Sequence, residues 1–249
     1  MRFARKMLSA LGLRKEKVFR RIQYTADDFA VRSKNIGFLD EPAFAQAWHF
    51  AEARNKEGWK GNVPDIRWRA HTCCFAASHG LNLTGDFVEC GVHTGILSAT
   101  ICAYLDFVRV PKKFFLFDTY CGIPAPDDAQ EKEKAEARNK AIYFDCYDIV
   151  RETFKPFPNV EIIKGMLPGT LKDVKLDKIA YLSIDLNNAT YERQVIEELW
   201  DRLSPSAMVV IDDYAFAGFE DQYEMWNGFA AAQHRRILTL PTGQGLLVK

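Results

Sequence analysis

The chain has 249 residues, with 33 Lys and Arg balanced by 33 Asp and Glu, and 48% of it is hydrophobic. That length and apolar fraction suit one large domain with a full core. Zero net charge leaves no positive field for a phosphate backbone, so no nucleic-acid partner is expected, and the absence of a long polar low-complexity run excludes a mainly disordered chain.

Residues 1–22 are basic: Arg2, Arg5, Lys6, Arg14, Lys15, Lys17, Arg20 and Arg21 stand against Glu16 alone. Phe3, Met7, Leu8 and Leu11 recur beside them at helical spacing. There is no long apolar segment of a signal peptide, and no run of ~18 apolar residues to span a membrane, so a cytoplasmic protein is expected. The basic helix admits a weak contact with an anionic membrane surface. A solvated arm or a contact within a homo-oligomer is the favoured reading. The six cysteines, Cys73, Cys74, Cys90, Cys102, Cys121 and Cys146, form no C-x-x-C pair, so reduced core cysteines are expected rather than zinc ligands or disulfides.

Residues 1–84 are expected to form a helical extension or lid. Asp40-Glu41-Pro42 opens a helix with proline just inside its start, and Phe44, Ala47, Trp48 and Ala51 give it an apolar face. A loop over Gly58–Pro64 precedes a second helix over Ile66–His79. Trp48, Trp59, Trp68 and Phe75 are expected in the core, with an acceptor pocket as the alternative for some.

Residues 85–249 are expected to be the catalytic domain, with strands and helices in alternation. Strands are predicted at Phe87–Cys90, Lys113–Phe117, Val160–Ile163, Ile179–Ile184 and Met208–Ile211. Helices are predicted at Ile96–Phe107, Asp145–Phe154, Tyr191–Leu203 and Gln222–Ala232, with the charged segment Asp127–Lys140 as a solvated helix. Such alternation argues a mostly parallel sheet covered on both faces. The last two strands, Arg236–Leu240 and Leu246–Lys249, are joined by too short a turn for a parallel crossover and must form an antiparallel hairpin. A parallel α/β sheet of this kind, closed by a hairpin, is the class I methyltransferase arrangement rather than that of nicotinamide enzymes.

The chemistry is expected at the strand ends. Gly85-Asp86-Phe87-Val88-Glu89-Cys90-Gly91-Val92-His93-Thr94-Gly95 runs from a buried strand through a glycine turn into a helix N-terminus, where backbone can approach a ligand closely. Its Glu-x-Gly-x-x-x-Gly spacing differs from the dinucleotide fingerprint and points to S-adenosylmethionine. Asp118, 23 residues after Gly95, is placed to accept hydrogen bonds from ribose hydroxyls. Asp185, Asp212 and Asp213 sit on adjacent strand ends, where a hard cation such as Mg²⁺ would relieve their repulsion and acidify a substrate hydroxyl. His93, inside the turn, is expected to shape the loop or contact the cofactor.

Three motifs in order, Gly85–Val92, Leu116-Phe117-Asp118-Thr119-Tyr120-Cys121-Gly122-Ile123-Pro124 and Val209-Val210-Ile211-Asp212-Asp213-Tyr214, resemble the macrocin O-methyltransferase family over roughly residues 63–249. The resemblance implies a metal-dependent, S-adenosylmethionine-dependent O-methyltransferase of a sugar or glycosylated small molecule. It implies Asp185, Asp212 and Asp213 as Mg²⁺ ligands. It implies that Glu89, Gly91 and Asp118 belong to the cofactor site, and Cys90, His93, Thr94, Gly95, Ser98, Thr119 and Gly165 are expected to complete it. One departure stands out. The family shows Asp-x-Asp-x-Tyr after the fourth strand, with the second Asp as general base, whereas this chain reads Asp185-Leu186-Asn187-Asn188-Ala189. A neutral amide cannot take the proton. Asn187, His93 and Asp185 are therefore the expected catalytic positions, with Glu192 and Tyr214 as alternative bases. A cofactor-binding protein without turnover and an NAD-dependent oxidoreductase are the competing readings.

Overall fold

The computed structural model describes residues 22–125 and 129–249; apart from Ile22, the basic N-terminal stretch lies outside them. The described chain opens with a hairpin, β1 (Ile22–Ala26) and β2 (Phe29–Arg32), paired antiparallel. Its two-residue loop is Asp27-Asp28, both at positive φ (53° and 58°), the backbone that a tight hairpin requires and that short polar side chains tolerate. This corrects the expectation of a helical segment up to residue 84. Helix α1 (Pro42–Asn55) buries Phe44, Ala47, Trp48 and Ala51, and α2 (Arg67–Gly80) follows after the expected loop.

The remaining elements run β3 (Asp86–Cys90), α3 (Ile96–Tyr104), β4 (Phe114–Asp118), α4 (Ala129–Ala141), α5 (Tyr147–Phe154), β5 (Val160–Lys164), β6 (Ile179–Ile184), α6 (Ala189–Leu199), β7 (Leu203–Ile211), α7 (Glu220–Ala232), β8 (Leu238–Thr239) and β9 (Gly245–Val248). The seven-stranded sheet has the order β5-β4-β3-β6-β7-β9-β8. β3 to β7 are parallel, while β9 runs antiparallel to both β7 and β8. The predicted sheet with its closing hairpin is thus present, although β8 is only two residues long. β7 starts five residues earlier than expected, at Leu203 rather than Met208, and the helix before it stops at Leu199.

The central strands are mainly apolar because helices cover both faces. Phe87, Phe114, Leu116, Tyr181 and Val210 point toward α1, α2, α3 and α5. Val88, Phe115, Phe117, Leu182, Val209 and Ile211 point toward α6 and α7. Register then positions the site. Cys90 pairs with Phe117 and Ile184, and Ile184 pairs with Ile211. The next residue on each strand, namely Gly91, Asp118, Asp185 and Asp212, therefore stands in one row along the carboxyl edge. Strand order reverses between β3 and β6, at Gly91 and Asp185, which is the switch point where open α/β sheets bind ligands. Five of the six cysteines are buried and all are free. Cys121, expected in the core, is exposed in the loop after β4, and Phe75 is exposed as well. Among the described residues, no helix is long and apolar enough to cross a membrane.

Candidate active site

A cleft opens at this edge, lined on one side by Gly91, His93, Asp118, Thr119 and Gly165 and on the other by Tyr143, Asp185 and Asn187, with Ile123, Pro124, Met166 and Leu167 as apolar wall. Gly91 is dictated by the backbone: φ is +87°, and a Cβ there would stand 1.7 Å from the Asp185 carbonyl oxygen. The turn it makes lets Val92 N–H (2.6 Å) and His93 N–H (2.8 Å) donate to Asp118 Oδ2, while Tyr120 N–H donates to Oδ1 (2.5 Å). Asp118 thus locks the glycine turn to β4 while lining the cleft. The Thr119 hydroxyl stands 3.3 Å from Oδ1 and also donates to the Gly122 carbonyl, so a ligand hydroxyl would take its place as the fourth donor to the carboxylate. Glycine cradle, acid and apolar wall suit the ribose and base of S-adenosylmethionine.

His93 sits at positive φ (48°) among Trp59, Tyr143 and Phe144, edge-on to each at 5.2, 4.9 and 5.1 Å. Its Nε2 is buried with no hydrogen-bond partner. Burial pushes its pKa down to about 4, so it is neutral at physiological pH.

Five expected cofactor residues do not line the cleft. Glu89 and Ser98 bond to one another between β3 and α3, because side chains alternate along a strand and Glu89 shares the Phe87 face, away from the strand end. Burial raises the Glu89 pKa to about 8. Cys90 packs into the opposite core. Thr94 is buried and accepts from Trp59 Nε1 (3.2 Å). Gly95 caps α3 at positive φ, with Phe154 against it.

Asp185 and Asn187 form a connected pair. Asn187, at φ 55°, donates through Nδ2 to Asp185 Oδ1 (2.7 Å) and to the Tyr143 hydroxyl (3.0 Å). Asn188 caps α6 by accepting from Thr190 and Tyr191 N–H. Burial, and then the neighbouring Asp213 and Asp212, push the Asp185 pKa well above the ordinary carboxylate range. The two alternative bases are engaged elsewhere: buried Glu192 accepts from Trp226 Nε1 (2.7 Å) and Leu186 N–H (3.2 Å), and the Tyr214 hydroxyl donates to Asn227 Oδ1 (3.0 Å).

The three carboxylates expected to hold Mg²⁺ converge, but with a different cation among them. Arg69 of α2 places Nη1 2.6 Å from Asp212 Oδ2 and 3.7 Å from Asp213 Oδ1. Its Nε and Nη2 grip both oxygens of Asp27 in the hairpin turn, each at 2.6 Å. Asp212 Oδ1 accepts from Gln244 Nε2 (2.9 Å), so each Asp212 oxygen faces an N–H donor, one of them from a permanent cation. Among the described residues, no group of three or more His, Cys, Asp or Glu is arranged to hold a metal. This donor set does not fit a divalent cation. Arg69, Asp27, Gln244 and Tyr143 escaped the sequence reading: each lies outside the three motifs, and Arg69 is 143 positions from Asp212.

The macrocin-O-methyltransferase (TylF) family profile matches residues 67–236. A tetracenomycin 4'-O-methyltransferase of Streptomyces olivaceus, whose substrate carries a dimethoxyrhamnosyl group, is 26% identical over 58% of this chain. That alignment spans only 58% of the relative's own length. Demethyldecarbamoylnovobiocin O-methyltransferase of Streptomyces niveus is 25% identical over 70% of this chain and 74% of its own. Among solved structures, the O-methyltransferase NovP superposes with a TM-score of 0.64 at 20% identity, covering 80% of this chain and 88% of that one. A calicheamicin methyltransferase gives 0.57 at 16% identity, covering 84% and 93%. These likenesses establish the fold as that of class I methyltransferases.

Proposed function

The chain belongs to the macrocin-O-methyltransferase family and is a methyltransferase, and from that premise we propose that it moves a methyl group from S-adenosylmethionine to a hydroxyl of a sugar or glycosylated small molecule. The observation that carries this reading is the shared edge of the cleft: Gly91 and Asp118 on one side and Asp185 on the other, each one residue beyond paired strand positions, with Asn187 two residues after Asp185. Cofactor and acceptor would meet there, at the switch point. The relatives named for rhamnosylated tetracenomycin and for a novobiocin precursor support the acceptor class.

S-adenosylmethionine, when bound, supplies an electrophilic methyl on a sulfonium. The chain's own residues do the rest. Asp118 and the Gly91 turn hold the ribose end, and His93, Tyr143 and the apolar wall keep water from the transfer line. Asp185, the carboxylate that borders the cleft beside Asn187, takes the acceptor proton. Asn187 fixes the rotamer of Asp185 and is itself held by Tyr143. The Tyr143 hydroxyl, which accepts from Asn187, keeps its own proton to donate into the cleft. In-line positioning supplies most of the acceleration for such a transfer.

The test is incubation with S-adenosylmethionine and a panel of rhamnosides and related glycosides, read by mass spectrometry. Methylated product and stoichiometric S-adenosylhomocysteine are expected. Asp185→Asn should lower kcat by roughly 10²–10⁴ while cofactor affinity is unchanged. Full activity in that variant would remove Asp185 from the role of base.

A further inference from the structure

At this sheet edge the family pattern combines a second acid, two positions after the first, with a divalent cation. This chain has an amide at that position and a guanidinium among the carboxylates. We propose that these are two halves of one exchange: Arg69 is the resident cation of the Asp185, Asp212 and Asp213 cluster, Asn187 is the matching loss of a negative charge, and the acceptor hydroxyl is handled without a divalent metal. The inference rests on reading the cleft as the transfer site.

Arg69 is fixed on three sides. Its fork is closed bidentately on Asp27, the geometry in which arginine–carboxylate pairs are strongest. Its third nitrogen reaches Asp212 and approaches Asp213. Its guanidinium carbon lies 4.4 Å from the centre of the Phe216 ring. The side chain is 14% exposed, against 7% for Asp27 and 5% for Asp212. A metal ion bound directly to Asp212 and Asp213 would need their oxygens at about 2 Å, in space that Nη1 occupies. It would also lie against an arginine that cannot lose its charge.

Asn187 follows the same arithmetic. Four carboxylates, Asp27, Asp185, Asp212 and Asp213, are faced by Arg69 and by Arg138, which donates to the Asn187 carbonyl (3.1 Å) and stacks 4.2 Å from Phe219. Both arginines lean on phenylalanines of the segment after β7. Another carboxylate at position 187 would lie against Asp185 with no dication to offset the repulsion. The amide instead donates to Asp185. Asparagine and aspartate both tolerate the left-handed backbone found there, so the backbone does not decide between them and the charge does.

The experiment is a Mn²⁺ titration of the whole protein followed by electron paramagnetic resonance, with S-adenosylmethionine binding measured calorimetrically on the same preparation. Wild type should show no Mn²⁺ binding up to about 1 mM, and the double variant Arg69→Gln/Asn187→Asp should bind it with a Kd roughly tenfold or more below that ceiling. Submillimolar binding to wild type that Asp212→Asn abolishes overturns the proposal. So does a folded double variant with no gain in binding. Should the double variant not fold, Asn187→Asp alone decides. With Arg69 in place, its melting temperature should fall and Mn²⁺ should not restore it, whereas restoration would overturn the proposal. Absence of S-adenosylmethionine binding would sink the transfer reading and leave the Mn²⁺ results to judge the cation assignment on their own.

Discussion

Gly91 carries more constraint than any other residue of the site. It combines positive φ with an approach to the Asp185 carbonyl that admits no side chain. Gly91→Ala should therefore cost roughly 3 kcal/mol or more, from backbone strain plus a clash that β3 and β6 cannot both relieve. Urea unfolding would show it, and a loss below about 1 kcal/mol would mean that the turn is looser than described. Glu89 makes a second residue-scale prediction. Its pKa is about 8 in the fold and about 4.3 in an unfolded chain, so the native state holds its proton more tightly. That contribution is complete below the unfolded value and is lost as pH rises toward 8. Glu89→Gln should gain stability relative to wild type between pH 5 and 8. Parallel profiles for the two proteins would refute the assignment. The sequence announces Glu89 as a cofactor residue because it sits inside the motif. Only strand alternation, once the strand's bounds are known, turns it toward Ser98.

At the scale of elements, the alternating strands and helices were legible because buried parallel strands are apolar runs bounded by glycine and acid. The row of Gly91, Asp118, Asp185 and Asp212 follows from where those runs end. The β1–β2 hairpin was not legible. Its turn is Asp-Asp rather than Asn-Gly, and only Tyr24 and Val31 of its strands are buried. Its place is set by tertiary contacts: Tyr24 and Phe29 pack on Trp68 of α2, at 5.9 and 5.4 Å between ring centroids, and the Tyr24 hydroxyl donates to Asp65 (3.1 Å). Asp27 joins this packing to the site through Arg69. Removing one partner of a buried pair costs about 3–5 kcal/mol. Asp27→Ala should approach that cost in thermal unfolding, although the hairpin turn is remote in sequence from every motif. A change under about 1 kcal/mol would show that the hairpin merely rests on α2.

For the molecule as a whole, the sheet order and its antiparallel closure place one cleft between two half-sites, and the two halves differ in how they could be read. The half proposed to hold the cofactor is written in contiguous motifs, so the sequence already names Gly91, Asp118 and Thr119, which the fold brings to the cleft. The acceptor half is assembled from a hairpin, a helix and three loops that meet only on folding, so Arg69, Tyr143 and Gln244 were not. The central claim is that this cleft holds S-adenosylmethionine or its product through Gly91 and Asp118. Calorimetric titration of S-adenosylhomocysteine into wild type and Asp118→Asn tests it most directly. One molecule should bind per chain, weakened in the variant by roughly 1.5–3 kcal/mol, as expected for a hydrogen bond to a charged group. Folded wild-type protein that binds none, or a variant that binds equally well, would contradict the account.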